Sequence, residues 1–170
     1  MNDASNARPS AWDRIWAPHR REYIDKFAGR YSDGDCPFCL GDGNQELVVH
    51  RGELAYVLLN LYPYNAGHVL ICPYRHVPLY DELTVVERHE IAELTGSAMR
   101  TLRKASGCEG FNIGMNQGAI AGAGVAGHLH QHVVPRWAAD INFMPIIAGT
   151  KVMPEMLEDT RALLSELWCE

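Results

Sequence analysis

Three histidines at alternate positions constrain this chain more than any other feature. The stretch GHLHQHVVPRW, residues 127–137, carries His128, His130 and His132. In a β-strand alternate side chains point to one face, so a strand over residues 128–134 would hold the three imidazoles in a row, about 6–7 Å apart. The apolar residues between and after them predict that the opposite face of this strand is buried. The histidine face is then expected to open into a cleft.

Length, charge and hydropathy limit the class of protein. The chain has 170 residues and is 47% hydrophobic, enough for one domain with a full core. A net charge of −6 argues against a protein whose main function is to bind nucleic acid or an anionic membrane. The polar N-terminus lacks the apolar segment of a secretory signal, and Asn, Pro and Gly interrupt the uncharged stretch 54–74. We therefore expect a cytoplasmic protein with a disordered tail over residues 1–11 and a single domain over residues 12–170.

The pattern of apolar and turn residues predicts five strands and two helices. Strand-like segments cover residues 46–51, 53–60, 66–73, 110–116 and 128–134. Thr84 and Glu87 have the spacing of a capping box, and helical periodicity follows them to about Gly107. A last helix is predicted to open at Pro154, with Leu157, Leu164 and Trp168 on one face. The order of elements predicts an α+β domain on an antiparallel five-stranded sheet, with one long helix and a C-terminal helix.

The cysteines form one recognisable motif, Cys36-Pro-Phe-Cys39, among five cysteines in all. Two thiolates at this spacing suit tetrahedral zinc or a redox dithiol. The surrounding Gly- and Asp-rich chain lacks the strand–helix junction of a redox motif. Zinc with two histidine ligands is therefore favoured. The alternatives are that the Cys36–Cys39 segment, here called the cysteine knuckle, binds no metal, or that its two thiols are a redox pair.

A glycine-rich loop leads directly into the histidine row. Residues 118–127 contain Gly118, Gly122, Gly124 and Gly127 and no bulky polar side chain. Glycine lets backbone N–H groups approach phosphate oxygens closely. Together the loop and the row suggest phosphoryl chemistry with a histidine nucleophile.

The stretch His128-Leu-His-Gln-His-Val-Val134 resembles the signature of the histidine-triad (HIT) superfamily. The resemblance covers roughly residues 12–165 and includes Asn60, Gly67-His68, Pro73-Tyr-Arg-His76 and Asn116. Residues 15–20, 142–143 and 151–152 resemble the bacterial branch of diadenosine polyphosphate hydrolases and phosphorylases. Gln131 departs from the pattern, which usually has an apolar residue there. We expect its side chain to point away from the histidines.

The resemblance implies a covalent mechanism. The middle histidine, His130, would attack an α-phosphorus, and water or phosphate would then release the nucleotide from the imidazole. His132 and Asn116 would stabilise charge on the phosphoryl group. The nucleotide-binding positions implied are Asn60 at the ribose, His68 beside the nucleotide, Gln117, Gly118, Gly122 and Gly124.

The resemblance also implies a structural zinc ion. In zinc-bearing members the first triad histidine closes a site with the C-x-x-C pair and a histidine after the third strand. Those positions are Cys36, Cys39, His76 and His128. His50 competes for the fourth position on sequence alone, and the family pattern favours His76. Four protein ligands leave no open coordination position, so such a zinc stabilises the fold.

Three functions are compatible with these residues. The favoured one is a nucleotidyl hydrolase or phosphorylase acting on dinucleoside polyphosphates such as diadenosine tetraphosphate. The alternatives are a nucleoside phosphoramidate hydrolase and a nucleotide-binding interaction protein with incidental catalysis. The resemblance also implies a homodimer, and the net charge of −6 argues against a nucleic-acid or membrane partner.

Overall fold

Five strands form one antiparallel sheet in the computed structural model, which describes residues 36–39, 45–138, 140 and 153–170. The strands are β1 (Val48–Arg51), β2 (Ala55–Leu59), β3 (Val69–Pro73), β4 (Gly110–Met115) and β5 (Gln131–Arg136). Their spatial order is β1-β2-β3-β5-β4, and each neighbouring pair is antiparallel. Every residue of β2 and β3 is buried, as expected for short uninterrupted apolar runs at the centre of a sheet.

The predicted five-stranded sheet is confirmed, but several strands begin later than predicted. A 3-10 turn, Gln45–Leu47, precedes β1. Before β3, the His68 N–H donates to the Asn65 carbonyl (3.1 Å) and Gly67 adopts a φ of +72°. Residues 65–68 therefore form a turn, and β3 begins only at Val69. Both shifts arise because local turns satisfy backbone groups that the prediction had assigned to the sheet.

The last strand differs most from its prediction. The expected strand over residues 128–134 was wrong at its start, because β5 begins at Gln131. The Leu129 N–H donates to the carbonyl of Val77 (2.7 Å), which lies beyond the end of β3. The chain therefore leaves the sheet ladder before Gln131, and only His132 of the three histidines is inside the strand.

The long helix α1 (Val85–Ser106) covers the sheet face opposite the histidines. Its predicted capping box is confirmed: the Glu87 N–H donates to Thr84 Oγ1 (3.3 Å), and the Thr84 N–H donates to Glu87 Oε2 (2.7 Å). It ends at Gly107, whose φ of +63° suits a left-handed cap. Gln131 Nε2 donates to Thr95 Oγ1 of this helix (2.6 Å), so the Gln131 side chain does point away from the histidines.

The C-terminal helix α2 (Leu157–Glu166) packs against β1. It begins three residues after the predicted Pro154, and Trp168, predicted to lie on its face, follows its end. The Trp168 ring stacks on His50 (4.5 Å, 9°), and Ser165 Oγ donates to the Val49 carbonyl (2.9 Å). The predicted tail, residues 1–11, lies outside the described residues. No helix within the described part of the chain is long and apolar enough to span a membrane.

Candidate active site and metal centre

Two cysteines and two histidines from distant parts of the chain meet in one cluster. The ligand atoms of Cys36, Cys39, His76 and His128 all lie within 4.8 Å of one another. Cys39 Sγ is 3.1 Å from His76 Nδ1, and His128 Nδ1 is 3.4 Å from Cys36 Sγ and 3.6 Å from Cys39 Sγ. His50 is elsewhere, stacked on Trp168, so the structure brings His76 into the cluster as the family pattern predicted.

The spacing of this cluster fits a tetrahedral zinc ion. Zinc binds sulfur at about 2.3 Å and nitrogen at about 2.0–2.1 Å, which places sulfur and nitrogen ligands about 3.5 Å apart. The measured separations of 3.1–3.6 Å agree with that value. Two cysteine sulfurs with two imidazoles are a donor set that zinc prefers. The residues present could therefore hold a closed, four-ligand metal site.

Two neighbouring hydrogen bonds orient the ligands. His128 Nε2 donates to the Pro73 carbonyl at the end of β3 (2.9 Å), which directs the Nδ1 lone pair toward the cysteines. Burial lowers the pKa of His128 to about 4, so its imidazole is neutral and able to bind a metal. The Tyr56 hydroxyl, buried in β2, donates to the Phe38 carbonyl between the two cysteines (2.7 Å). The knuckle is thus fastened to the centre of the sheet.

The next histidine, His130, has one ring nitrogen committed and one available. Its Nδ1 lies 2.9 Å from the backbone carbonyl of His128. A carbonyl only accepts hydrogen bonds, so Nδ1 carries the proton and Nε2 carries the lone pair. Burial lowers the pKa of His130, which keeps the ring neutral near pH 7. A neutral imidazole with a free Nε2 lone pair is a competent nucleophile.

A chain of hydrogen bonds fixes the proton positions on the third histidine. The Tyr64 N–H donates to His68 Nδ1 (3.0 Å), so the proton of the His68 ring is on Nε2. That proton is donated to His132 Nδ1 (3.0 Å). The proton of His132 is therefore on Nε2, which becomes a hydrogen-bond donor. The His132 and His130 ring centroids are 5.1 Å apart, so a nucleophile and a donor stand side by side.

The remaining predicted residues have contacts of their own. Asn60 Oδ1 accepts from the Tyr62 N–H (3.0 Å), and its Nδ2 is 3.3 Å from His68 Nδ1. Asn60 therefore orients the turn before His68, besides any contact with a ribose. Gln117 Oε1 accepts from the Tyr80 N–H (2.8 Å), which ties the glycine-rich loop to the turn Tyr80–Glu82. Asn116 is half-buried at the end of β4.

The glycine-rich loop is a compact turn. Ala119–Ala121 form a 3-10 turn between Gly118 and Gly122, both with positive φ (78° and 81°). Three amides of this loop donate within it, from residues 121, 122 and 123 to the carbonyls of residues 118 and 119. Those amides are occupied, so an anion would contact others. At Gly127 a Cβ would lie 3.4 Å from His76 Nε2, so glycine permits the close approach of the loop to the cluster of cysteines and histidines.

Sequence reasoning missed two positions that the structure brings to the site. Tyr56 supports the segment between Cys36 and Cys39. The sequence feature that could have indicated this role is a tyrosine inside an otherwise apolar strand, because its buried hydroxyl needs a hydrogen-bond partner. Tyr64 packs on two site histidines, at 4.7 Å from the His68 ring and 5.6 Å from the His132 ring. The sequence feature that could have indicated Tyr64 is the Tyr-Pro-Tyr stretch, residues 62–64, shortly before the predicted site residue His68.

Comparisons with known proteins agree with this geometry. The family model described as "HIT domain" matches residues 43–139. Over 91% of its length the chain is 43% identical to the AP-4-A phosphorylase of Mycobacterium tuberculosis, of which it covers 84%. It is 34% identical, over 56% of its length and 52% of the relative, to the asymmetrical bis(5'-nucleosyl)-tetraphosphatase of Schizosaccharomyces pombe. A solved histidine triad nucleotide-binding protein from Sulfolobus tokodaii superposes with a TM-score of 0.61 at 28% identity, over 78% of this chain and 88% of that one.

Proposed function

This chain belongs to the HIT family, and we propose that it cleaves dinucleoside polyphosphates by nucleotidyl transfer through His130. The observation that carries the proposal is the hydrogen-bond pattern of the histidines, from which we infer a lone pair on His130 Nε2 and a proton on the Nε2 of the adjacent His132. A buried nucleophile beside a donor suits attack on a phosphoryl group. The relatives named for tetraphosphate substrates support the choice of substrate over a phosphoramidate.

The first step forms a covalent intermediate. His130 Nε2 attacks an α-phosphorus, the bond from that phosphorus to the bridging oxygen breaks, and the remaining polyphosphate leaves. With diadenosine tetraphosphate, AMP is bound to His130 and ATP departs. The His132 Nε2–H donates to the phosphoryl oxygens as negative charge shifts onto them. Asn116, Gly118 and the amides not used within the loop supply further donors, while Asn60, His68, Gln117, Gly122 and Gly124 surround the nucleotide.

The second step returns His130 to its neutral form. Inorganic phosphate attacks the phosphorus of the intermediate, the phosphorus–nitrogen bond breaks, and ADP is released. Water in place of phosphate would give AMP. We propose phosphate as the acceptor because the relative that is 43% identical over most of both chains is named a phosphorylase.

We propose that Cys36, Cys39, His76 and His128 hold a structural zinc ion. The donor set and the separations near 3.5 Å support this assignment. A zinc ion there would cross-link the knuckle to the chain just before β5. The same residue that binds it, His128, offers the carbonyl that accepts the His130 Nδ1 proton. Metal binding and the orientation of the nucleophile would then depend on one backbone position.

We also propose that the chain forms a two-fold homodimer. β4 is at one end of the sheet, and no described residue pairs with its outer edge. Its middle residues are exposed, including Ile113, and the strand carries no charged residue or proline to prevent pairing. Antiparallel pairing of two β4 strands would continue the sheet across the dimer.

Product analysis tests the proposed activity. Diadenosine tetraphosphate is incubated with the protein, with and without inorganic phosphate, and the nucleotides are separated by anion exchange. We expect ADP and ATP in equal amounts, in a phosphate-dependent reaction. AMP and ATP without phosphate dependence would identify a hydrolase instead. Cleavage of adenosine phosphoramidate with no cleavage of the tetraphosphate would refute the proposed substrate class.

A further inference from the structure

One loop beside the histidines carries three exposed apolar side chains within four residues. Residues 61–64, Leu-Tyr-Pro-Tyr, connect β2 toward β3, and we name them the aromatic loop. Leu61 is 50% exposed, Tyr62 49% and Tyr64 42%. Three large apolar side chains in four residues form a patch that a folded domain rarely presents to water without a function.

The backbone of the aromatic loop is held by hydrogen bonds, and its two tyrosine side chains are partly exposed. The Tyr62 N–H donates to Asn60 Oδ1 (3.0 Å), and the Tyr64 N–H donates to His68 Nδ1 (3.0 Å). Pro63 between them fixes its own φ and restricts Tyr62 to extended conformations. The two rings are therefore pre-organised, which reduces the entropy lost when a ligand binds them.

Tyr64 lies on the His132 side of the histidine pair. Its ring is nearly parallel to that of His132, at 15° and 5.6 Å, and is 4.7 Å from His68. On the other side, Phe38 is 4.8 Å from His130. In an in-line displacement the leaving group departs opposite the nucleophile, and so away from His130. A leaving polyphosphate that accepts from His132 would pass toward Tyr64.

We propose that the aromatic loop binds the nucleobase of the leaving nucleotide, with Tyr64 as the stacking residue. This inference rests on the proposed function and adds to it a site for the second base of the substrate. The face of Tyr64 turned away from His132 would stack on the base, and Leu61 and Tyr62 would cover its edges. Stacking tolerates any base because each has a π face, so the loop selects for two-base substrates without specifying adenine.

The test compares a two-base with a one-base substrate. The value of kcat/KM is measured for diadenosine tetraphosphate and for adenosine 5′-tetraphosphate in the wild type and in Tyr64→Leu. We expect the ratio of the two-base to the one-base value to fall about tenfold in Tyr64→Leu. The matched variant Tyr64→Phe keeps the ring and should keep the ratio. If Tyr64 only supports His132, both substrates lose equally and the unchanged ratio overturns the proposal.

A binding measurement separates this inference from the proposed activity. The His130→Ala protein, with and without Tyr64→Leu, is titrated with the same two nucleotides by calorimetry. A tenfold loss of affinity confined to the two-base ligand supports the second base site even if the wild type cleaves neither compound. Equal affinities for the two ligands before and after the substitution, or no binding of either, would overturn it.

Discussion

At the scale of single residues, the site depends on where three protons reside. His68 and His130 each have one nitrogen whose role is fixed by a backbone group that can only donate or only accept, and the role of His132 Nδ1 follows from that of His68. Similar side chains thereby acquire different chemistry. His130 presents a lone pair, while His132 presents an N–H.

Replacing the nucleophile should stop turnover without preventing binding. We expect His130→Ala to lower kcat by at least about 10⁴-fold, because the substitution removes the nitrogen that forms the bond to phosphorus. His132→Ala removes one donor among several and should cost about 10²–10³-fold. Rapid quenching with substrate labelled at the α-phosphate should trap an acid-labile, alkali-stable label on the wild type. An undiminished label on His130→Ala would show that another residue is the nucleophile.

His68 should act as a positioning residue for His132. His68→Phe removes the donor to His132 Nδ1, so the His132 proton is free to move between the two nitrogens. We expect kcat to fall about 10- to 100-fold, with KM less affected. Nitrogen-15 NMR of the ring should show His132 protonated on Nε2 in the wild type and a tautomer mixture in the variant. His50→Phe, at a histidine stacked on Trp168, is the control and should change neither kcat nor the His132 spectrum. An unaltered His132 spectrum in His68→Phe would show that His68 does not fix the proton of His132.

At the scale of secondary-structure elements, the cysteine knuckle, the end of β3 and the start of β5 are connected by one cluster. The four ligands are up to 92 positions apart along the chain. Cross-links between distant positions restrict the unfolded chain most, so a metal at this point contributes more than one within a single loop.

Loss of zinc should reduce stability and activity together. We expect about one zinc ion per chain, and we expect Cys36→Ser to lose it and lower Tm by about 10 °C. Activity should decline as well, because the carbonyl that orients His130 belongs to His128. Elemental analysis by mass spectrometry measures the zinc content, and thermal unfolding measures Tm. Cys169→Ser, outside the cluster, should keep its zinc; metal-free wild type of full stability would refute the site.

The start of α1 should give the protein a stability that depends on acid pH. Arg75 makes two hydrogen bonds to Glu87 and holds the pKa of that carboxyl at about 2, below its ordinary 4.5. Because the folded pKa is lowered, this contribution is complete above about pH 4.5 and is lost as pH falls toward 2. Glu87→Gln should cost about 1–2 kcal/mol at pH 7 and progressively less at acid pH.

Urea denaturation at a series of pH values measures this effect. The difference in unfolding free energy between the wild type and Glu87→Gln is expected to shrink between pH 5 and pH 3. Glu93→Gln, at an exposed position of the same helix, provides the control and should show a small difference at every pH. A pH-independent difference for Glu87→Gln would mean that its charge is not what stabilises the helix start.

At the scale of the whole molecule, the two ends of the sheet are different. The β1 end is covered by α2, and Ser165 donates to a β1 carbonyl there. At the β4 end the described residues leave the outer strand edge unpaired. Proteins protect such edges or use them for assembly.

The proposed dimer predicts which end of the sheet is sensitive to a charge. Ile113→Lys on β4 should convert a dimer to a monomer in light scattering at micromolar concentration, because a lysine there would be buried in the interface. Met156→Lys changes an exposed apolar residue just before α2, a helix that packs against β1, and should leave the dimer intact. A monomeric wild type would remove the dimer proposal and leave the fold unaffected.

The sequence alone determined the elements and the identity of the chemical groups. Apolar runs, the Thr84–Glu87 capping box and turn residues depend on neighbours within a few positions, so the five strands, α1 and their order along the chain could be predicted. The alternating histidines and the cysteine pair indicated the chemistry for the same reason. Only the tertiary structure decided the strand start at Gln131 and the proton positions on the histidines, and it agreed with the family pattern in bringing His76 rather than His50 into the cluster. Each of these depends on a hydrogen bond or a contact between residues far apart in the chain, such as Leu129 with Val77 or His68 with His132, and no local pattern encodes such a distance.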